Sequence, residues 1–228
     1  MNHEGWMGRI ADWKGKYSLK MIPFCDEEEV LPQDVIEELD RLTNGEAVIT
    51  TEVGQHQMWA AQYYNFKNPR SFASSGGLGT MGYGLGAAIG SKCGNPDKPV
   101  INIAGDGSFF MNCNELSSLA KHNIPVIELV FENNVLGMVR QWQRLFYDKR
   151  FSQTDIDRGT DFMKLAEAFG IEGLVIEKKS DITPVLERAL SLNKPVLIEC
   201  RIHKDINVLP MVPAGKDISE PIMAIDLD

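Results

Sequence analysis

From Ala47 onward, short continuous apolar runs alternate with longer segments of helical periodicity, and this alternation constrains the fold more than any other feature. Val100–Ala104, Val126–Phe131 and Val196–Ile202 read as strands buried on both faces. Ala47–Thr50, Ser71–Ala73 and Leu174–Ile176 read as three shorter strands. Helices are expected at Pro32–Leu42, Asn112–His122, Met138–Tyr147, Asp161–Phe169 and Asp181–Leu192, with Pro32 suited to a first helical turn. Strands separated by amphipathic helices imply α/β architecture: a doubly wound, mostly parallel six-stranded sheet with helices on both faces. Its domain is expected over residues 31–203. An N-terminal helix and linker should occupy 1–30, and 204–228, with three prolines, should form an irregular tail.

Ligands of such sheets bind outside the carboxyl ends of the strands, so the residues just after each strand matter most. GDGSFF, Gly105–Phe110, follows one strand directly. Its glycines permit a sharp turn and close backbone approach, and Asp106 offers a hard oxygen ligand. The helix that follows would turn N–H groups toward the same spot, which suits a phosphate. ENNVLGMV, Glu132–Val139, follows the next strand, and Asn133 lies 27 residues after Asp106. One helix and one strand fit that interval, so both side chains should emerge at adjacent strand ends. Mg²⁺ favours octahedral oxygen ligation by few protein groups plus phosphate and water. Either motif alone is a common turn; the pair at this spacing is far more specific.

Other features carry less. Gly77–Gly82 fits the dinucleotide pattern G-x-G-x-x-G, but the next acid, Asp97, lies in a proline-flanked loop rather than at a strand end. A glycine-rich helix packed close to a cofactor ring accounts for the same residues. Val139, Trp142 and Phe146 form an i, i+3, i+7 apolar stripe that on spacing alone reads as core. A net charge of −9 argues against nucleic-acid binding through a basic face. Cys25, Cys93, Cys113 and Cys200 show no metal-ligand spacing and read as reduced thiols of a cytoplasmic protein. The N-terminus lacks a signal-peptide pattern, and no stretch reads as a membrane span. The acidic run Asp26–Glu29 reads as a solvated face.

GDG followed after this interval by Asn resembles the signature of thiamine-diphosphate enzymes. The longer runs TEVGQHQMWAAQYY (Thr51–Tyr64), SSGGLGTMGYGLGAAIG (Ser74–Gly90), GDGSFFMNCNEL (Gly105–Leu116), LGMVRQWQRLFY (Leu136–Tyr147) and VLPMVPAG (Val208–Gly215) resemble the large catalytic subunit of acetolactate synthase, also called acetohydroxyacid synthase. KYSL, before the acidic run, looks like that family's entry into its C-terminal domain.

The resemblance implies the thiamine-diphosphate-binding fold, with thiamine diphosphate and Mg²⁺ as cofactors. Asp106 and Asn133 would ligate Mg²⁺ by side chain and Val135 by its carbonyl. Gly107 and Ser108 would contact the diphosphate, with Gly105, Leu136 and Gly137 in the same cofactor-binding set. Gly54, Gln55 and His56 would grip the diphosphate's other end. Gly79 and Met81 would meet the aminopyrimidine through their backbones. Met58 and Met138 would support the bent cofactor. Met138, Val139 and Trp142 would face substrate, Trp142 favouring 2-oxobutyrate as second substrate. The implied reaction decarboxylates pyruvate and joins the two-carbon unit to a second pyruvate or to 2-oxobutyrate, in branched-chain amino-acid biosynthesis.

Family members also carry an N-terminal pyrimidine-binding domain and a middle flavin (FAD) domain. The glutamate that activates thiamine lies in the N-terminal domain, so no catalytic residue is assigned here. Expected partners are an N-terminal pyrimidine-binding domain or chain, a homo- or hetero-oligomer and a regulatory small subunit. A pyruvate oxidase, glyoxylate carboligase or sulfopyruvate decarboxylase subunit, or a non-catalytic association module, remains open. Glu132 occupies a position often Asn, and strand alternation should point it away from the site.

Overall fold

The computed structural model describes residues 3–16, 27–157 and 159–223. KYSL beyond Lys16, and Cys25, lie outside the described residues. A helix α1 (Glu4–Lys16) contributes no buried residue. The order that follows is α2 (Pro32–Thr43), β1 (Val48–Thr51), α3 (Gln55–Tyr63), β2 (Phe72–Ser74), α4 (Gly84–Gly94) and β3 (Val100–Gly105). Then come a short turn of helix α5 (Asp106–Phe109), α6 (Leu116–His122), β4 (Val126–Glu132), α7 (Gly137–Phe146), α8 (Phe162–Phe169), β5 (Glu172–Ile176), α9 (Ile182–Ser191) and β6 (Val196–Arg201).

The six strands form one sheet in the order β2-β1-β3-β4-β6-β5, and every pairing is parallel. Alternation along each strand divides the apolar residues between two cores. Ile101, Ile103, Ile127, Leu129 and Phe131 face α2, α3 and α9. Val100, Ala104, Val126 and Val130 face α4, α6 and α8. The strands therefore read as unbroken apolar runs, because both faces are covered. Full burial of each valine, leucine, isoleucine or phenylalanine among them stabilises by roughly 1.5–3 kcal/mol.

The helix ends follow local chemistry. Asp161 caps α8 by accepting the Lys164 N–H at 2.9 Å, and Gly170 closes it in a left-handed conformation at φ 70°. Residues 77–82 are turns rather than a glycine-rich helix, with Gly79 and Gly82 at positive φ; α4 starts only at Gly84. The helix expected from Asn112 opens with a 3₁₀ turn, Cys113–Glu115, and α5 precedes it as a separate turn. The tail folds back: Ile206 and Val208 are buried with the α2/α3/α9 core, and Met211 bridges Ile222. Among the described residues no helix is long and apolar enough to cross a membrane.

Candidate functional site

β1 has its sequence successor β2 on one side and β3 on the other, so the chain reverses direction across the sheet between β1 and β3. A pocket opens at the carboxyl ends of β1, β3 and β4, where such a reversal leaves a crevice. Gly105 pairs with Phe131 in the β3/β4 register, which places Asp106 beside the segment that follows β4. Asp106 is 3% exposed. Its Oδ1 accepts the Gly107 N–H at 2.8 Å, and its Oδ2 accepts the Asn134 N–H at 2.7 Å and the Asn133 N–H at 3.3 Å. The Asn133 Oδ1 accepts the Val135 N–H at 3.1 Å. Two of these bonds fill Asp106 Oδ2, while Asp106 Oδ1 and Asn133 Oδ1 accept one each, which leaves those two oxygens room to meet a cation. Asn134, left-handed at φ 59°, turns the chain into α7. The loop after α7 then returns: the Leu136 N–H donates to the Thr154 carbonyl, and the Ile156 N–H to that of Asn134.

The opposite wall is the start of α3. Gln55 and His56 are buried, and so is Trp59 one turn on. Gln55 Oε1, His56 Nε2 and Trp59 Nε1 are buried without a hydrogen-bond partner, and all three residues line the pocket. Buried polar groups are normally satisfied, so three orphans on one helix turn mark a place built for a polar ligand. Burial pushes the His56 imidazole down to about 3, against a ring hydrogen bond to the Glu52 backbone, and holds it neutral. The walls also come close to backbone. A Cβ on Gly105 would lie 2.7 Å from His56 Nδ1, and one on Gly137 would collide with the Gln55 carboxamide. Among the described residues no group of three or more His, Cys, Asp or Glu could hold a metal. One carboxylate, one amide and a carbonyl instead suit Mg²⁺ that also binds phosphate.

The structure gathers most of the expected residues. Gly54, Gln55, His56, Met81, Gly105, Asp106, Gly107, Ser108, Asn133, Val135, Leu136, Gly137, Met138 and Val139 line this one pocket. Met58 is 41% exposed on the outer side of α3 and does not line it. Gly79 sits in an exposed turn, where a Cβ would come 3.8 Å from Val53. Val53, Trp59 and Phe131 line the pocket without having been singled out from sequence. Trp59 was within reach of helical spacing, four positions after Gln55.

The Val139–Trp142–Phe146 stripe is not core. The three residues are 49%, 40% and 38% exposed, and Gln141 is the buried residue of α7. Met138, Val139 and Trp142 instead line a groove of about 750 Å³ with Gln143, Tyr147, Arg150 and Ser152, contiguous with the pocket through Met138 and Val139. Glu132 points away from the site: Phe131 lines the pocket, while Glu132 sits by Arg201 Nε at 3.7 Å. Burial, then the hydrogen bond and charge of Glu199, raise its carboxyl despite Arg201, and the charge of Asp106 adds to this. Beneath the site, Glu52 accepts the Gly82 and Leu85 N–H groups at 2.6 and 3.1 Å, which fixes the start of α4.

Residues 52–200 match the family model described as thiamine pyrophosphate enzyme, C-terminal TPP binding domain. The acetolactate synthase catalytic subunit, mitochondrial, of Saccharomyces cerevisiae is 44% identical over 94% of this chain and 32% of its own length. The probable acetolactate synthase large subunit of Methanococcus aeolicus is 42% identical over 98% of this chain and 38% of its own. Acetolactate synthase 2, chloroplastic, of Nicotiana tabacum is 40% identical over 94% and 33%. The chain thus spans about a third of the length of the curated relatives it matches. The chain belongs to the thiamine pyrophosphate enzyme C-terminal domain family, and its cofactors are thiamine diphosphate and Mg²⁺.

Proposed function

We propose that this chain is the cofactor-holding part of an acetolactate synthase, which condenses two pyruvates, or pyruvate and 2-oxobutyrate, with loss of CO₂. One observation carries the reading: Asp106 and Asn133 stand at adjacent strand ends, facing three unpartnered polar atoms across one pocket. In the proposal Asp106, Asn133 and the Val135 carbonyl hold Mg²⁺. Gly54, His56, Gly105, Gly107, Ser108, Leu136 and Gly137 hold the diphosphate end, with Gln55 in the wall beside them, and Gly79, Met81 and Met138 the rings. Met58, on the outer side of α3, takes no part in this pocket. Thiamine diphosphate supplies the electron sink for decarboxylation and two-carbon transfer. Met138, Val139 and Trp142 face the second substrate from the groove beside the pocket.

The working unit is residues 31–203 together with the start of the tail 204–228, whose Ile206 and Val208 pack on its core, and it is led in by 1–30. The activating carboxylate comes from a pyrimidine-binding domain or chain outside these 228 residues. A homo- or hetero-oligomer, a regulatory small subunit and FAD belong to the assembled enzyme. Cytoplasmic residence rests on cysteine usage. The test has two arms. Thiamine diphosphate should raise the melting temperature of the chain only when Mg²⁺ is present. Acetolactate should form from pyruvate when the pyrimidine-binding polypeptide is added, and not with the chain alone. Turnover by the chain alone would refute the divided site, and a different product would point to another enzyme of the superfamily.

A further inference from the structure

The segment Asp205–Met211 is held by side chains reaching from α3 and α7. Gln141, 2% exposed, grips the backbone of Val208 from both sides: its Oε1 accepts the Val208 N–H at 2.9 Å, and its Nε2 donates to the Val208 carbonyl at 2.9 Å. Arg140 and Arg144 pair with Asp205 at 2.8 and 2.9 Å, and Gln62 donates to the Leu209 carbonyl at 3.1 Å. Gln55 joins the same cluster. Its Nε2 donates to Gln141 Oε1 at 2.9 Å and to the Ile206 carbonyl at 3.0 Å.

The direction of these amides is forced. A backbone N–H only donates and a carbonyl only accepts, so Val208 sets which end of Gln141 carries oxygen. Gln141 and Ile206 then fix the amino end of Gln55. The Gln55 Oε1 is left on the other side, against Gly137 in the pocket wall, buried and unpartnered. The docked segment therefore decides whether Gln55 turns an acceptor or a donor toward the pocket wall.

We propose that Gln141 is a positioning residue that couples occupancy of the cofactor pocket to docking of residues 205–211. The inference rests on the cofactor reading of that pocket. Coupling between sites is reciprocal, so a bound group that donates to the fixed Gln55 Oε1 must also tighten the segment.

The test is hydrogen exchange of the amides of residues 205–211 in the full chain, with and without millimolar thiamine diphosphate and Mg²⁺, with binding measured separately by equilibrium dialysis. Cofactor should slow exchange in the parent protein by at least about fivefold. In Gln141→Met the cofactor-dependent ratio should fall to near one. Gln62→Met removes another anchor of the same segment without touching Gln55, so it should speed exchange in both states and keep the ratio. A parent ratio near one despite binding overturns the coupling. So does an unchanged ratio in Gln141→Met, or its equal loss in Gln62→Met. Absence of any binding overturns the cofactor reading itself, and the inference with it.

Discussion

The amide of Asn134 donates to Asp106 Oδ2 at 2.7 Å, across the gap between the ends of two neighbouring strands. Asp106 therefore has a structural duty that precedes any metal: it gathers N–H groups of Gly107, Asn133 and Asn134. Asp106→Ala leaves those donors without an acceptor, at roughly 1–3 kcal/mol for a buried one such as the Gly107 N–H and less for the part-buried pair. Urea unfolding of the metal-free protein should show a loss of about 2–3 kcal/mol. Asp106→Asn should lose less, because one oxygen remains. Both variants should lose the Mg²⁺-dependent thermal shift with thiamine diphosphate. Unchanged stability of the alanine variant would contradict this double duty.

That double duty also shows how far the sequence could be read. The strand ends were legible because β3 and β4 are buried on both faces and so appear as uninterrupted apolar runs, and the interval from Asp106 to Asn133 followed from them. β5 was found at Leu174–Ile176 but begins two residues earlier, at Glu172, where an edge strand carries polar residues. α3 and α4 left no usable periodicity. α3 has the cofactor wall on one side and the core on another, and α4 is glycine-rich where it approaches β1 and β3. α7 misled for a physical reason. Its buried face is polar because Gln141 and the two arginines hold the tail, so the apolar stripe turns outward. Periodicity shows that a helix has two faces; it does not show which is inside when the inner partner is itself backbone.

Glu128 is fully buried, and Asn102 Nδ2 donates to its two oxygens at 2.8 and 3.0 Å. Asn102 Oδ1 in turn accepts from Thr50. Burial raises the Glu128 carboxyl well above its ordinary 4.5, the Asn102 bond works against this, and the charge of Glu52 adds to it. A raised native value means the folded state holds the proton more tightly. The contribution is full below the ordinary value and is lost as pH rises through the native one. Glu128→Gln should therefore gain stability relative to the parent as pH rises from the ordinary carboxylate range through the raised native value. Denaturant titrations at several pH values would show this, and a constant difference would sink it.

Two glycine substitutions should move in opposite directions. At Gly137 a Cβ would run into the Gln55 carboxamide, whose Cδ would be 2.9 Å away. Gly137→Ala should cost about 1–3 kcal/mol and weaken thiamine diphosphate binding, because Gln55 must leave its fixed position. Gly86 lies within α4 with nothing within 4 Å of its Cβ position. Gly86→Ala should stabilise by about 0.5–1 kcal/mol through helix propensity and leave cofactor affinity unchanged. Thermal unfolding with cofactor titration separates the two, and equal effects would refute the assignment of Gly137 to the pocket wall.

Trp142 stands 40% exposed in the groove beside the pocket, its ring edge-to-face with Phe146 at 5.3 Å between centroids. A partly exposed aromatic pair contributes little to the fold, so Trp142→Leu should cost no more than about 1.5 kcal/mol. Its consequence should appear in selection instead. Pyruvate and 2-oxobutyrate differ by one methylene, and an apolar contact with that group is worth about 1–3 kcal/mol, a factor of roughly 10–200 in the ratio of kcat/KM values. With the assembled enzyme and both 2-oxoacids present, Trp142→Leu should shift product toward acetolactate by at least about tenfold. The rate with pyruvate alone should stay close to that of the parent, because Trp142 lines the groove and not the pocket that holds Asp106 and Asn133. A parallel fall in both products, with their ratio unchanged, would make Trp142 a structural residue of α7 and remove it from the substrate-facing set.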